Sequence, residues 1–364
     1  MLVLVGASQA DLARDLHLGL AQSGLLASFL AAGLGAGVLA AGPLVDRLPR
    51  RPLFVAASLV VALGLGTVSR SMSFARTGVH LILVGVGLGV YETLLNAVVT
   101  ERYRARAARP LLFVHAAATL GAMLGPALAA WLTVWAHADW SAAFRALGVA
   151  HLPLAAAALG ITFPAPSQLA ARSHAALLPA GLLRTLFPFA VISFGYVGLE
   201  TALTVLAVPY ATVALGLPHA RGLAAISAFW AGLLLGRLAV LAVRGAIDAR
   251  HLAAAGAAGA LVLAAGVASG THAIEALLAA TGACLGLVFP VMVALTGEGA
   301  GSARATAIGL VVSAGALGGF LLPWLHGALG DAAGPRVAVG TLAVWAALAA
   351  AAARSVRREA SAGA

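Results

Sequence analysis

The sequence contains no lysine, a single cysteine and few charged side chains of any kind. Its 364 residues include 22 basic residues, all of them arginine, and 12 acidic residues, so that charged residues make up 9% of the chain. Soluble domains contain about 25% charged residues, which argues against an ordinary soluble fold. Because Cys284 has no second cysteine to pair with, the sequence predicts no disulfide framework and no cysteine-based metal cluster.

Most residues of the chain are apolar. They make up 62% of the chain, and the mean hydropathy is +1.01. These values predict a polytopic membrane protein in a lipid bilayer. The formal net charge of +10 would suggest nucleic acid in a soluble protein. Here the arginines lie in short loops and at helix ends, so we interpret them as topology signals and expect no nucleic-acid partner.

The apolar segments predict six helices on each side of a polar connector. The expected organisation is an N-terminal transmembrane bundle (1–162), a cytoplasmic connector (163–183) and a C-terminal transmembrane bundle (184–364). The opening apolar run, Met1 to Ala7, is followed by polar residues and is too short for the roughly 20 residues that a span needs. We therefore expect an incomplete first helix, its remainder lost upstream through a late start codon or a deletion. Most loop arginines share one predicted side, which places both termini in the cytoplasm of a bacterial-type inner membrane.

A compact charged segment follows the second apolar run, and it reads Gly42-Pro43-Leu44-Val45-Asp46-Arg47-Leu48-Pro49-Arg50-Arg51. Gly42 and Pro43 are expected to end helix 2, and Pro49 and Pro52 to fix the turn into helix 3. An ordinary positive-inside loop would explain the arginines but not the glycine and aspartate at these offsets.

The pattern Gly-x-Leu-x-Asp-Arg-x-x-Arg-Arg in this segment resembles the signature loop between helices 2 and 3 of the major facilitator superfamily of transporters. That family usually has glycine at the position of Pro49. The resemblance implies an all-α polytopic membrane protein with the major facilitator fold, two six-helix bundles, the first helix here being truncated. It also implies a role in conformational gating for Gly42, Asp46, Arg47, Arg50 and Arg51.

Glycine-rich patterns recur in the two predicted halves. Gly121-x-x-x-Gly125-Pro126 in helix 5 is matched by Gly315-x-x-Gly318-Gly319 and Pro323 in helix 11, six helices later. Duplicated halves suit alternating access, in which two bundles rock about a central site. The alternative is that glycine and proline are simply frequent in this chain. Bends are expected at Phe289-Pro290 in helix 10 and at Pro323-Trp324 in helix 11.

Glu92 is a carboxyl at membrane depth, in the run Gly85-x-Gly87-x-Gly89-x-x-Glu92-x-x-x-Asn96. A charged carboxyl there costs on the order of 2.5–3.5 kcal/mol, so Glu92 should face the interior and carry a proton part of the time. Asn96 shares its face and is predicted to bind substrate. The run, with Tyr91-Glu92-Thr93, resembles helix 4 of the fucose:proton symporter branch of the superfamily. The resemblance implies a role in proton coupling for Glu92, although the acidic partner in helix 1 of that branch has no counterpart here.

His115 in helix 5 lies about as far from the helix 4–5 loop as Glu92 does. The two side chains are therefore expected to be close together, either as a proton relay or with His115 as a structural hydrogen-bonding group. We therefore predict Glu92 and His115 as the two proton-coupling residues.

Helices 7 and 8 supply the other predicted substrate-binding residues. Tyr196, Glu200 and Thr204 fall on one face of helix 7, and the Tyr-Val-Gly-x-Glu element resembles helix 7 of the same branch. Trp230 and Arg237 share a face of helix 8 within the branch-like pattern Phe229-Trp230-x-Gly232-x-x-x-Gly236-Arg237. Trp230 either stacks on a polar solute or packs in the core. We interpret Arg237 as a gating residue that extends to the cytoplasmic surface.

No nucleotide-binding loop, metal-ligand cluster or hydrolase triad is recognisable in the sequence. We therefore predict a secondary active transporter, not an enzyme and without a cofactor or metal. It would act as a monomer on a small polar solute, sugar-like and proton-coupled. One alternative is a proton-coupled exporter of drugs or metabolites, because Gly121-x-x-x-Gly125-Pro126 resembles the antiporter motif of helix 5. Another is a transport-inactive member of the fold.

Overall fold

The computed structural model describes residues 2–103, 108–163, 180–242, 248–299 and 304–356, and its regular structure is helical. The helices before the connector are α1 (Leu2–Ala7), α2 (Gln9–Leu16), α3 (Leu20–Arg47), α4 (Arg50–Gly66), α5 (Phe74–Tyr103), α6 (Ala108–Ala130) and α7 (Ser141–Gly160). Those after it are α8 (Ala180–Pro209), α9 (His219–Ala242), α10 (Ala249–Ser269), α11 (Ile274–Leu285), α12 (Val288–Gly299), α13 (Arg304–Ala333) and α14 (Pro335–Ser355). We call α1–α7 the first half and α8–α14 the second half.

Within these described ranges, ten helical segments are long and apolar enough to cross a membrane. Helix α4 has 17 residues and is not among these ten segments. The pair α11 and α12 together forms the tenth predicted segment, interrupted at Gly286 and Leu287. This interruption directly precedes Phe289-Pro290, where the sequence predicted a bend. Pro323, by contrast, lies inside the continuous helix α13.

The first predicted segment consists of two short helices separated at Ser8. Helix α1 packs against α6 and α8, and its Val3, Leu4 and Val5 are buried. A Cβ atom at Gly6 would lie 2.5 Å from the backbone oxygen of Thr204, so α1 directly touches α8. The short apolar run is thus an integral part of the core.

Helix α2 is attached to the rest of the first half through Asp15. The Asp15 carboxylate accepts hydrogen bonds from Arg70 Nε at 2.7 Å and from Trp140 Nε1 at 2.9 Å. The Arg70 side chain, together with the Trp140 hydrogen bond, lowers the pKa of Asp15 from its ordinary value, although partial burial acts in the opposite direction. Asp15 therefore connects α2 to the α4–α5 loop and to the start of α7.

Two ends of the molecule can be distinguished by the residues they contain. The Leu20 end contains the start of α3, the end of α13, Asp15 and Arg70, whereas the Arg50 end contains the start of α4. Helices α3 and α13 pack closely near the Leu20 end and join the two halves there. Helices α6 and α9 also make a contact between the halves, as do α1 and α8.

The matching glycine patterns of α6 and α13 have different surroundings. A Cβ atom at Gly318 would lie 2.0 Å from the backbone oxygen of Phe194, and one at Gly315 would lie 2.6 Å from Ser193 Oγ, so α13 packs tightly on α8. Among the described residues, no atom lies within 4 Å of a Cβ atom built at Gly121 or Gly125. The glycines of α6 therefore face open space where those of α13 face a helix.

His326 in α13 is buried and connects this helix to α14. Its Nδ1 lies 2.9 Å from the backbone oxygen of Ala338, and its Nε2 lies 2.9 Å from Trp345 Nε1. An indole N–H can only donate and a carbonyl can only accept, so Nδ1 carries the proton and Nε2 accepts. This arrangement fixes one neutral tautomer of His326.

The predicted end of helix 2 was wrong. Helix α3 continues through Gly42 and Pro43 and ends at Arg47, because one proline removes a single helical hydrogen bond and membrane helices tolerate that loss. Pro49 then caps α4, as predicted for the turn. Helix α8 begins at Ala180, so the last residues assigned to the connector are helical. Most of that connector, residues 164–179, lies outside the described residues.

Candidate functional site

A group of polar side chains lies between the halves, where α6, α8 and α9 meet. Arg237 of α9 donates hydrogen bonds to the Thr119 hydroxyl of α6 and, at 3.3 Å, to the Tyr196 hydroxyl of α8. The Tyr196 hydroxyl interacts with the Glu200 carboxyl, which also attracts Arg237 electrostatically. His115, one helical turn before Thr119, faces the positive charge of Arg237. We call these five residues the Arg237 cluster.

The Arg237 cluster continues towards the Leu20 end along α8. Trp230 Nε1 donates to Thr204 Oγ1 at 3.3 Å, and Thr204 Oγ1 donates to the backbone oxygen of Glu200 at 2.7 Å. The Tyr196 ring lies 6.1 Å from the Phe289 ring, next to the interruption between α11 and α12. The structure thus brings together the residues that the sequence analysis placed on common faces of helices 7 and 8.

Arg237 does not extend to the membrane surface, so the interpretation of this residue as a surface charge was wrong. Its two hydrogen-bond partners are buried, Thr119 being 1% and Tyr196 3% exposed. The guanidinium remains inside because two hydroxyls accept hydrogen bonds from it and the Glu200 carboxyl attracts it, which offsets part of the cost of burying a charge.

Glu92 and His115 are not paired in the structure, contrary to the expectation from their distances to the loop. Helix α5 packs mainly on α3 and α4, whereas α6 packs mainly on α9, so the two side chains belong to different surroundings. Glu92 is half-buried, and no residue in the described ranges forms a hydrogen bond or ion pair with its carboxyl. The neighbouring Tyr91 points towards α4, where its hydroxyl bonds to Ser58 and its ring packs on Phe54.

Asn96 lies one turn after Glu92 on α5 and is half-buried. It does not belong to the Arg237 cluster as the contacts above define it. The structure therefore separates the predicted polar residues into two groups: Glu92 with Asn96 on α5, and the Arg237 cluster with Thr204 and Trp230 on the other side.

The predicted gating segment spans the end of α3 and the start of α4. Arg50 is almost completely buried, at 2% exposure, although it begins a helix at the end of the molecule. Arg51 Nη2 donates to the backbone oxygen of Ile161 at 3.0 Å and so connects α4 to the end of α7. The side chains of Gly42, Asp46 and Arg47 lie outside the described residues.

Sequence reasoning missed Thr119 and Ser227. Ser227 Oγ of α9 donates to the backbone oxygen of Met123 of α6 at 2.8 Å, so it forms another polar contact between these two helices besides Arg237–Thr119. The available signal was the spacing of His115 and Thr119, which puts two polar side chains on one face of an apolar helix. Single threonines are common in membrane helices, where the hydroxyl bonds to its own backbone, and Thr119 does this through the oxygen of His115.

Comparisons with known proteins agree with this architecture. Residues 1–274 match the sequence profile of the Major Facilitator Superfamily. A search of curated proteins gives no match. The chain belongs to the Major Facilitator Superfamily, and it is a multi-pass integral membrane protein of this transporter family.

Solved structures share the fold over almost the whole chain. A bacterial homologue of the human lysosomal transporter Spinster, inward-facing and occupied, is 14% identical with a TM-score of 0.75, covering 97% of this chain and 93% of that one. The xylose transporter XylE from E. coli, in an inward open conformation, is 14% identical with a TM-score of 0.74, covering 98% and 92%. The E. coli fucose:proton symporter FucP is 20% identical with a TM-score of 0.63, covering 98% and 97%.

Proposed function

We propose that this chain is a secondary active transporter that moves a small, sugar-like polar solute by alternating access, coupled to protons. The observation that carries the proposal is the Arg237 cluster. It concentrates hydrogen-bonding groups at membrane depth and joins α6 of the first half to α8 and α9 of the second. Polar and charged side chains inside a membrane protein are costly and typically mark substrate or ion pathways. A contact between two halves is also the place where rocking of the halves changes the site.

The chemistry of the cluster favours a solute with several hydroxyl groups. Arg237 Nε is buried and has no hydrogen-bond acceptor in the part of the chain that the structure describes. Glu200 offers an acceptor, Tyr196 and Thr119 offer hydroxyls, and Trp230 and Phe289 add aromatic surface nearby. Sugars present both donors and acceptors for such groups and apolar faces for aromatic rings. The sugar transporters among the structural neighbours support this substrate class.

Glu92 is the residue that we assign to proton coupling. A carboxylate without a partner in an apolar helix is expensive, and uptake of a proton removes that cost. If Glu92 is exposed first to one side of the membrane and then to the other, it can load and release a proton in each cycle. We place the Arg50 end and both termini in the cytoplasm, on the basis of the arginine-rich loops. The protein would act as a monomer in a bacterial-type inner membrane.

The test compares Glu92→Gln with the unchanged protein in proteoliposomes. Glutamine keeps the shape and hydrogen bonding of a protonated glutamate, so solute binding and passive exchange should survive while accumulation driven by a pH gradient is lost. Glu200→Gln should instead weaken solute binding, because Glu200 belongs to the Arg237 cluster. Accumulation by Glu92→Gln at the level of the unchanged protein would remove Glu92 from the coupling role.

The same vesicles distinguish the alternative functions. A proton-coupled exporter, which the glycine pattern of α6 favours, would use the same inward proton gradient to move the solute out, whereas the leading proposal predicts that this gradient drives uptake. A transport-inactive member of the fold would bind a solute without exchanging it. A panel of sugars and related polar solutes, tested for exchange before accumulation, decides among the three.

A further inference from the structure

The start of α3 lacks a capping side chain of its own. Its N-cap residue is Gly19, so the first backbone N–H groups of the helix need acceptors from elsewhere. The carboxylate of Asp331, near the end of α13 in the other half, supplies them. Leu20 N donates to Asp331 Oδ1 at 2.7 Å, and Ala21 N donates to Asp331 Oδ2 at 2.8 Å. One half of the molecule therefore caps a helix of the other.

Beyond this cap, helices α3 and α13 contact each other closely at glycine residues. A Cβ atom at Gly327 would lie 2.3 Å from the backbone oxygen of Leu20, and one at Gly24 would lie 2.1 Å from that of Pro323. One turn further along, the Ser28 hydroxyl bonds to the backbone oxygen of Phe320. The Leu20 end is thus closed by backbone contacts, and Asp331 is the charged group in that closure.

We propose that Asp331 is a gating residue: its carboxylate latches the Leu20 end closed by capping α3, and it releases the helix when that end opens. This inference rests on the proposed function, because it requires the two halves to separate at this end during alternating access.

The chemistry of the contact suits a reversible latch. A carboxylate at a helix N-terminus is stabilised both by the N–H groups and by the helix dipole. Asp331 makes no ion pair within the described ranges, so its charge acts mainly on α3. When the halves separate at this end of the molecule, water can solvate both the carboxylate and the free N–H groups. The latch therefore favours the closed state without making opening prohibitively costly.

The experiment measures how often the closed contact opens, using a thiol placed inside it. Ser28→Cys, in a Cys284→Ser background, puts a nearly isosteric thiol at a position that is 0% exposed. Asp331→Ala should raise the rate of thiol modification by a charged, membrane-impermeant reagent about five-fold, the effect expected for loss of a helix cap. Asp331→Asn, which keeps one acceptor but loses the charge, should give a smaller increase.

A second variant tests the same contact while Asp331 is retained. Gly19→Ala adds a Cβ atom 2.9 Å from Asp331 Oδ2 and should displace the carboxylate, so it should also raise the modification rate. Asp11→Ala is the control, because Asp11 lies at the same end and bonds only to Arg14 of its own helix among the described residues. Thermal unfolding in detergent verifies that each variant is folded.

Unchanged modification rates in folded Asp331→Ala and Gly19→Ala proteins would overturn the latch, as would an equal rise in Asp11→Ala. The assay needs no transport, so its result is separable from that of the proposed function. Faster thiol modification in the Asp331 variant of a protein that exchanges no solute would support the latch and contradict the proposed transport function. Normal proton-coupled accumulation with an unchanged modification rate would support the transport function and contradict the latch.

Discussion

Arg237 of α9 forms side-chain hydrogen bonds to one residue of each half. Its guanidinium reaches Thr119 on α6 and Tyr196 on α8 at once, and the Glu200 carboxyl attracts it electrostatically. A planar guanidinium has donors pointing in several fixed directions, whereas an ammonium group is a compact point charge on a flexible stem. Geometry, and not charge alone, should therefore matter at this position.

We predict that Arg237→Lys reduces solute uptake about ten-fold, since hydrogen bonds to charged groups contribute about 1.5–3 kcal/mol each and lysine cannot reach both hydroxyls. Initial uptake rates at matched protein levels measure the effect. Arg145→Lys is the control, because Arg145 is exposed and pairs only with Asp139 among the described residues. Uptake by Arg237→Lys within two-fold of the unchanged protein would contradict the prediction.

Asp15 gives a prediction about pH. Its pKa is lowered in the folded protein, chiefly by the hydrogen bond from Arg70, so it contributes stability above its unfolded pKa of about 3.9. Arg14 is a further cation that faces it, and Trp140 donates to it. Asp15→Asn should lower the melting temperature at pH 7 by about 2 °C.

The difference caused by Asp15→Asn should shrink as the pH falls below about 3.9 and vanish once Asp15 of the unchanged protein is protonated. Melting curves in detergent between pH 7 and pH 3 measure it. Asp11→Asn is the control at pH 7 and should change the melting temperature less, since Asp11 pairs with an exposed arginine one turn away. A difference that stays constant down to pH 3 would show that the Asp15 charge does not act on stability.

Helices were predictable from the sequence because hydropathy decides which segments can cross a bilayer. The interruption between α11 and α12 was foreseen from Phe289-Pro290, where proline removes a donor. The continuation of α3 through Pro43 was not, because a local rule about proline ignores the apolar neighbours that hold the helix together. The pairing of Thr119 with Arg237 and the capping of α3 by Asp331 could not have been predicted, since the partners lie on helices far away in the chain.

The glycine pattern of α6 and the glycine pattern of α13 predict opposite effects of a glycine-to-alanine substitution. Gly318→Ala should destabilise the protein by about 1–3 kcal/mol, because its Cβ atom would overlap the Phe194 backbone. Gly121→Ala should be neutral or stabilising by about 0.5–1 kcal/mol, because alanine favours helix and meets open space there. Melting temperatures of the matched pair measure the difference, and equal effects would contradict the two environments.

The molecule as a whole has two ends that labelling can assign to sides of the membrane. Leu48, next to the buried Arg50, is 42% exposed and is therefore a suitable position at the Arg50 end. In a Cys284→Ser background, Leu48→Cys should be protected from an impermeant thiol reagent in intact cells and react after permeabilisation. Ser71→Cys, at the Leu20 end, should react in intact cells. Reversed results would invert the proposed topology.

The hydrogen bond between His326 and Trp345 also gives this protein an intrinsic spectroscopic probe. An indole proton donated to an imidazole nitrogen should resonate downfield of an indole proton bound to a hydroxyl, such as that of Trp230. Because His326 and Trp345 lie on α13 and α14 of the same half, their signal should stay constant while the halves move. It can therefore serve as an internal reference in nuclear magnetic resonance spectra, against which the Trp230 signal reports movement around Thr204.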